Sequence, residues 1–242
     1  MPKAGQGPHP QDVDANPGWD SPRIAGELAK LDIQVAKATV EKYMVRPQKP
    51  PSPSWRAFLD NHVRDLVSVD FFVVPTVTFK VLFVFFGLVH ARRRIVHFNV
   101  TKHPTAQWTA QQILEAFPWE TAPRYLIRDR DQVFGSAFRT RVESMGIEEV
   151  LTAPRSPWQN PFAERAIGSV RRECLDNAIV LGERHLRGLL GDYFEHYHRW
   201  RCHRSLDMDC PAPRPVQGPG HGGVREVAEA GGLYRHYERR GA

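Results

Sequence analysis

Hydrophobic residues between positions 66 and 100 occur in short apolar runs of the kind that form buried strands. The runs lie at 66–74, 80–89 and 92–100, and only short polar or basic turns separate them. Because consecutive strands joined by short turns pair side by side, these three segments are predicted to form an antiparallel meander.

Beyond position 100 the hydrophobic pattern changes to alternating helices and strands. Apolar residues recur three or four positions apart in the helical segments, and the strands are brief apolar runs. The predicted elements are a helix at 105–117, a strand at 124–129, a helix at 136–145, a strand at 147–151, and helices at 162–180 and 183–203. A meander followed by strand–helix alternation predicts an α/β fold, with a mixed sheet flanked by helices.

Proline, glycine and charge mark the remaining segments. Ser21 suits a helix N-cap and Pro22 the first helical position, so two short helices and a tight turn are predicted there. Either a helix-turn-helix or a generic helical hairpin fits them. The predicted divisions are a disordered N-terminus at 1–20, a helix-turn-helix-like DNA-binding segment at 21–46, a Pro-rich linker at 47–60, a core at 61–212 and a Pro/Gly-rich basic tail at 213–242.

The apolar stretch at 66–89 is long enough to cross a bilayer. It contains Asp70, Pro75 and Lys80, however. Each central charge costs roughly 2.5–3.5 kcal/mol on insertion scales. Two strands joined by a turn explain the stretch better, so no membrane association is expected.

The charge balance is basic, with 33 Lys and Arg against 27 Asp and Glu and a net charge of +6. This fits a polyanionic partner such as DNA, although many other basic proteins share it. The three cysteines form no CxxC pair, and the first twenty residues hold no apolar signal core. A reducing, cytoplasmic location is expected.

Asp70 is the residue that strand formation does not explain, because it lies in the middle of "LVSVDFF". An isolated ionised carboxylate in apolar surroundings is costly unless it is paired or binds a metal. A buried arginine, a turn or a cation would each resolve the cost.

Two further carboxylates occur where α/β sheets usually bind ligands. Asp129 follows the fourth strand, and Glu164 lies in the first turn of the helix predicted at 162–180. Three clustered carboxylates suit Mg²⁺ or Mn²⁺, and two such ions about 3.5–4 Å apart support phosphodiester chemistry. Taken singly, Asp129 also fits a turn and Glu164 a favourable helix N-terminus.

These carboxylates occur in motifs that resemble those of DDE transposases and integrases, most closely the bacterial insertion-sequence type. The first Asp of that family follows an apolar run, as in "LVSVDFF". Its second opens a D-x-x-x-x-[FY] pattern, here "DRDQVF", and its Glu follows N-x-x-x-E-R, here "NPFAER". Residues 130 to 163, 34 in number, separate Asp129 from Glu164, which is similar to the family's spacing.

The resemblance implies an RNase H-like catalytic core in which Asp70, Asp129 and Glu164 are catalytic and bind two Mg²⁺ or Mn²⁺ ions. It implies DNA end cleavage and strand transfer during transposition or integration, without a covalent protein–DNA intermediate, by a homo-oligomer on transposon ends and target DNA in the bacterial nucleoid.

Two departures from the family pattern keep other readings open. Asp131 occupies a position where the family commonly has Gly, and relatives usually carry a longer N-terminal DNA-binding region. A catalytically inactive or truncated DNA-binding remnant of a transposase is therefore the alternative function. An RNase H-like nuclease without transposition is a third.

Basic and amide side chains near Glu164 are the candidate DNA contacts. Seven or eight residues on from Glu164, a helix returns to roughly the same face, so arginines there would hold phosphates near the metals; a solvated basic face is the alternative. The candidates are Arg165, Arg171, Arg172, Asn160, Lys37 and Lys42. The basic run 92–94 is expected to be solvated, and His198 with Cys202 fits no common zinc spacing.

Overall fold

The computed structural model describes residues 21–36, 38–40, 53–118, 121–154 and 156–241. The chain divides into two units, Met1–Pro50 and Pro51–Ala242, and the second contains the sheets. In the first unit, helix α1 spans Ser21–Lys30 and residues 38–40 are helical. Half of the second predicted helix, residues 37 and 41–44 of 35–44, lies outside the described residues, so the helix-turn-helix stays a prediction.

Five strands form one mixed sheet in the order β3-β2-β1-β4-β5. Strands β1, β2 and β3 pair antiparallel as the predicted meander, while β4 runs parallel to β1 and β5 parallel to β4. Their bounds are β1 Leu66–Pro75, β2 Val81–Val89, β3 Arg94–Thr101, β4 Tyr125–Arg128 and β5 Glu148–Leu151. The predicted α/β class is confirmed.

Helices cover both faces of this sheet. Their bounds are α2 Pro53–Asn61, α3 Ala106–Ala116, α4 Ser136–Ser144, α5 Pro161–Glu173 and α6 Glu183–Arg199. One face packs Val69 and Phe85 against Ile113 of α3 and Phe138 of α4. The other packs residues such as Phe72 against α5 and α6. No helix within the described ranges is both long and apolar enough to cross a membrane.

Helix α2 corrects the prediction of a linker over 47–60. It begins at Pro53, a residue tolerated in the first turn of a helix. Phe58 and Leu59 lie on its inner side and pack with Leu66 and Tyr125. Pro53 therefore starts a helix that packs into the core, whereas residues 47–52 of the predicted linker lie outside the described residues.

The basic tail predicted over 213–242 contains a β-hairpin. Strands β6 (Gly223–Glu229) and β7 (Tyr234–Arg240) pair antiparallel. Tyr234 is only 6% exposed and packs against Tyr193 of α6. The alternation of "YRHYERR", with Tyr234 and His236 buried, is the strand signal that composition concealed.

Helices α5 and α6 both end earlier than predicted. Helix α5 ends at Glu173, because the Asn177 side-chain amide donates to the carbonyls of Arg172 and Glu173 in the last turn. The chain then extends, and Val180 accepts a hydrogen bond from Val77 in the β1–β2 turn. Helix α6 ends at Arg199 rather than 203.

Candidate active site

The position of Asp70 follows from side-chain alternation along β1. Val69 points into the cluster packed against α3 and α4, whereas Phe72 and Val74 point into the cluster formed with α5. Successive strand residues face opposite sides, so Asp70 faces α5. Its Oδ1 accepts the Phe71 amide hydrogen at 2.8 Å, and the residue is half-buried.

Strand register brings Asp129 beside Asp70. Strands β1 and β4 run parallel with Ser68 opposite Ile127. Two residues further along each strand are Asp70, inside β1, and Asp129, just past the end of β4, so the two residues lie at the same level. Asp129 Oδ1 accepts the Asp131 amide hydrogen at 3.1 Å.

Glu164 reaches the same region from the N-terminus of α5. Pro161 occupies the first turn, and the Glu164 amide donates to the Asn160 carbonyl at 3.1 Å. The helix thus starts three residues before Glu164, which lies in its first turn and is exposed.

Asp70, Asp129, Asp131 and Glu164 line one cavity of about 360 Å³, together with Asn160. Burial raises the pKa of Asp70 to about 7, although the Phe71 amide opposes the rise, and the nearby charges of Asp129, Glu164 and Asp131 add to it. Burial also raises the pKa of Glu164, and Arg171 opposes this rise. The cavity therefore concentrates negative charge.

The chemistry of this donor set fits a hard divalent cation, which prefers carboxylate and amide oxygens. Asn160 is 5% exposed, and its buried Oδ1 has no hydrogen-bond partner among the described residues. The side chains are nevertheless not arranged as a complete cation site. In the described part of the chain, no group of three or more His, Cys, Asp or Glu side chains is close enough to hold a metal.

Asp131, the unusual acid of the motif, has a structural role. Its Oδ1 accepts the Val133 amide hydrogen at 3.1 Å and so caps the short helical turn Gln132–Phe134. It also lines the cavity. Asp131 therefore both stabilises the local turn and contributes to the wall of the cavity.

The arginines of α5 do not share one face, and the role of Arg165, Arg171 and Arg172 in DNA binding stays a prediction. At 3.6 residues per turn, position 171 is about 20° and position 172 about 80° from position 164 around the helix. Arg171 interacts electrostatically with Glu164. Arg165 and Arg172 instead line a second cavity that contains none of the three candidate catalytic carboxylates.

The basic run 92–94, expected to be solvated, is largely held by the protein. Arg92 forms a 2.7 Å ion pair with Asp209. The Arg93 guanidinium lies 3.4 Å over the ring of Phe162. Sequence reasoning missed Arg93, because nothing local marks a contact with a residue almost seventy positions away.

Of the other candidate DNA contacts, one lies at the carboxylate cavity and two lie outside the described residues. Asn160 lines the carboxylate cavity and is buried. Lys37 and Lys42 lie outside the described residues. Their role in DNA binding stays a prediction.

Comparison with protein families identifies one matching segment. A model of the family described as "Integrase core domain" matches residues 145–211, which include Glu164 and all of α5 and α6. A curated relative is the uncharacterized 39.2 kDa protein of insertion element IS476 from Xanthomonas euvesicatoria, 28% identical over 152 residues. The match covers 57% of this chain and 44% of that protein, so the chain spans less than half of its relative's length. These matches confirm the resemblance to integrases and transposases.

Among solved structures, the HTLV-2 integrase catalytic core domain in complex with magnesium is 12% identical, with a TM-score of 0.46 over 59% of this chain and 90% of that one. The catalytic domain of Mos1 mariner transposase is 14% identical, with a TM-score of 0.46 over 59% of this chain and 78% of that one. At these values the activity of neither protein transfers to this chain.

Proposed function

We propose that this chain, whose residues 145–211 match the integrase core domain, is a transposase that cleaves and joins DNA phosphodiester bonds with the help of divalent metal ions. The observation that carries the proposal is the convergence of Asp70, Asp129 and Glu164 on one cavity. They come from β1, the end of β4 and the start of α5, and they are the same three residues that the family motifs select.

Asp70, Asp129 and Glu164 would hold Mg²⁺ or Mn²⁺, with Asn160 as an additional oxygen donor. When bound, such ions supply activation of a water or a 3′-hydroxyl and stabilisation of the leaving oxygen. The raised pKa of Asp70, about 7, supports this assignment. A raised pKa means that the folded protein disfavours the ionised form of Asp70, and a bound cation would offset this loss of free energy.

The protein residues around the cavity position DNA. Arg171 lies on the Glu164 side of α5, where its guanidinium suits a backbone phosphate next to the scissile bond. Two DNA ends must be joined to one target, so we propose that the chain acts as a homo-oligomer on DNA. No Tyr or Ser nucleophile is assigned.

The first test is metal binding by the purified full chain. We expect Mn²⁺ to raise the unfolding temperature of the wild type, and Asp129→Asn or Glu164→Gln to abolish this shift. Glu148→Gln is a matched control, since Glu148 is exposed on β5 and lies outside the cavity. An equal Mn²⁺ shift in all variants contradicts the metal assignment.

The second test separates cleavage from joining. Supercoiled plasmid is incubated with Mn²⁺ and a labelled duplex carrying the element's terminal repeat. Nicking together with transfer of label to the plasmid supports a transposase, whereas nicking without transfer supports a nuclease. DNA binding with neither reaction supports a silent remnant of a transposase. All nicking is expected to disappear in Asp129→Asn.

A further inference from the structure

A second cavity, which we call the arginine cavity, lies beside α5 and has a volume of about 300 Å³. Three segments far apart in sequence form it: the β2–β3 turn, α5, and the end of α6 with the chain that follows it. Its cationic and imidazole residues are Arg93, Arg165, Arg172, Arg201, Arg204 and His203. Its volume is at the small end of the range for small-molecule sites, roughly 300–1,000 Å³.

The positive charge of the arginine cavity is mostly uncompensated. Glu173 accepts hydrogen bonds from Arg201 Nε and Nη2, each at 2.7 Å, and so neutralises that guanidinium. Within the described part of the chain, none of the other four arginines forms an ion pair with a carboxylate. Four guanidiniums around a small cavity repel one another, so the site favours an anion.

Arg93 is held in place before any ligand arrives. Its guanidinium is stacked on the Phe162 ring and donates to the His90 carbonyl. Its buried Nε has no hydrogen-bond partner among the described residues. Burial lowers the pKa of Arg93, and the nearby charge of Arg165 lowers it further.

His203 supplies a second buried donor. Its Nδ1 lies 3.3 Å from Arg201 Nη1, and because arginine has no acceptor, Nδ1 must be the acceptor. Burial and the Arg201 charge lower the pKa of His203 to about 4. The imidazole is therefore neutral near pH 7, with its proton on Nε2. That nitrogen is buried and no hydrogen bond of good geometry satisfies it within the described ranges, although the Tyr197 backbone lies close enough to raise the pKa of the ring.

We infer that the arginine cavity binds a phosphate group, supplied by a nucleic-acid backbone or by a small free phosphate. Unpaired buried donors are costly, and a tetrahedral oxyanion supplies acceptors for Arg93 Nε and His203 Nε2 at once. Arg165, Arg172 and Arg204 are exposed at its rim, where guanidiniums suit phosphate oxygens. This site is separate from the carboxylate cavity and does not depend on the proposed cleavage.

The experiment measures phosphate binding directly, without any reaction. Pyrophosphate binding is followed by calorimetry, and binding of a labelled DNA duplex by fluorescence anisotropy over a series of salt concentrations. The variants are Arg165→Gln and Arg172→Gln, which change exposed side chains and leave the core intact. Arg139→Gln is the matched control, because Arg139 is exposed on α4, across the sheet from α5.

Each cavity variant is expected to weaken binding about tenfold and to reduce the salt slope of DNA binding by about one. A loss with DNA alone identifies a backbone phosphate, and a loss with pyrophosphate alone identifies a small phosphate; both support the site. Unchanged binding of both probes, or an equal loss in Arg139→Gln, overturns it. If the wild type never nicks DNA but the cavity variants still lose phosphate binding, the proposed function is overturned and the phosphate site is supported.

Discussion

Asp70, inside β1, and Asp129, just past the end of β4, lie at the same level, each two residues beyond the matched pair Ser68 and Ile127. This register places one half-buried and one exposed carboxylate side by side. The arrangement tends to destabilise the folded chain, because burial and neighbouring carboxylates both disfavour the charge on Asp70.

Replacing Asp70 with Asn is therefore expected to stabilise the metal-free protein. The folded pKa of about 7 is above the ordinary 3.8, so the unfolded chain ionises more easily. The destabilisation is complete above pH 7 and fades as pH falls toward 4. By urea unfolding in EDTA, we expect a gain of about 2–4 kcal/mol at pH 8 and a smaller gain at pH 5.5.

Asp176→Asn is the control, since Asp176 is exposed; it should change stability by less than about 0.5 kcal/mol. A destabilised Asp70→Asn at pH 8 would show that the carboxylate stabilises the fold instead.

Glu173 is expected to be a stabilising residue that connects three elements. Its carboxylate accepts hydrogen bonds from Arg201 and from the Tyr193 hydroxyl, at 2.7 and 2.9 Å. Glu173→Gln removes the charge and one acceptor. Because the side chain is about a third exposed, we expect a loss of only about 1–2 kcal/mol in the free energy of unfolding.

The pH dependence gives an independent check on Glu173. Burial raises its pKa, but hydrogen bonds and charge from Arg201 outweigh this and leave it below 4.5. Its stabilisation is thus present above pH 4.5 and lost as pH falls below it. A Glu173→Gln curve parallel to wild type between pH 6 and pH 3 would contradict this role.

His198 should make the fold less stable in mild acid. Its Nε2 accepts the Ile95 amide hydrogen at 3.0 Å, and burial lowers its pKa to about 4. Between pH 6.5 and 4 the unfolded chain binds a proton that the folded chain does not. Stability therefore falls as pH falls through this window, by up to about 1.4 kcal/mol per unit.

His198→Gln should flatten that slope. It should not remove it, because burial also lowers the pKa of His203 to about 4. Guanidinium unfolding from pH 7 to pH 4 measures the difference. Identical slopes for both proteins would show that His198 is protonated in the folded state.

The assignment of α2 to the core can be tested by truncating one side chain. Leu59 is 8% exposed and packs with Leu66 and Tyr125. Leu59→Ala is expected to cost about 2–4 kcal/mol, whereas Arg56→Ala, at an exposed position of the same helix, should cost less than about 0.5 kcal/mol. Equal, negligible losses would support the linker that sequence composition suggested.

Local patterns in the chain predicted the antiparallel meander and marked Asp70 as the one strand residue that apolar packing does not explain. A period of two along 66–74 decides which side chains share a face, and parallel pairing of β4 with β1 then brings Asp129 to Asp70. Such periodicities depend on backbone geometry within a few residues. Composition gave the wrong expectation on either side of the core: Pro53 starts a helix where a linker was predicted, and Tyr234 of the predicted tail packs into the core.

Local sequence patterns could not predict the arginine cavity. Arg93, Arg165 and His203 come from three separate segments, and their convergence depends on how α5 and α6 pack on the sheet. Which surroundings Arg171 and Arg172 each face likewise depends on which side of α5 the sheet covers. The distances among Asp70, Asp129 and Glu164 depend on packing in the same way. Contacts between side chains that are far apart in sequence depend on how the helices and the sheet pack. Local sequence patterns do not determine that packing; only the complete fold does.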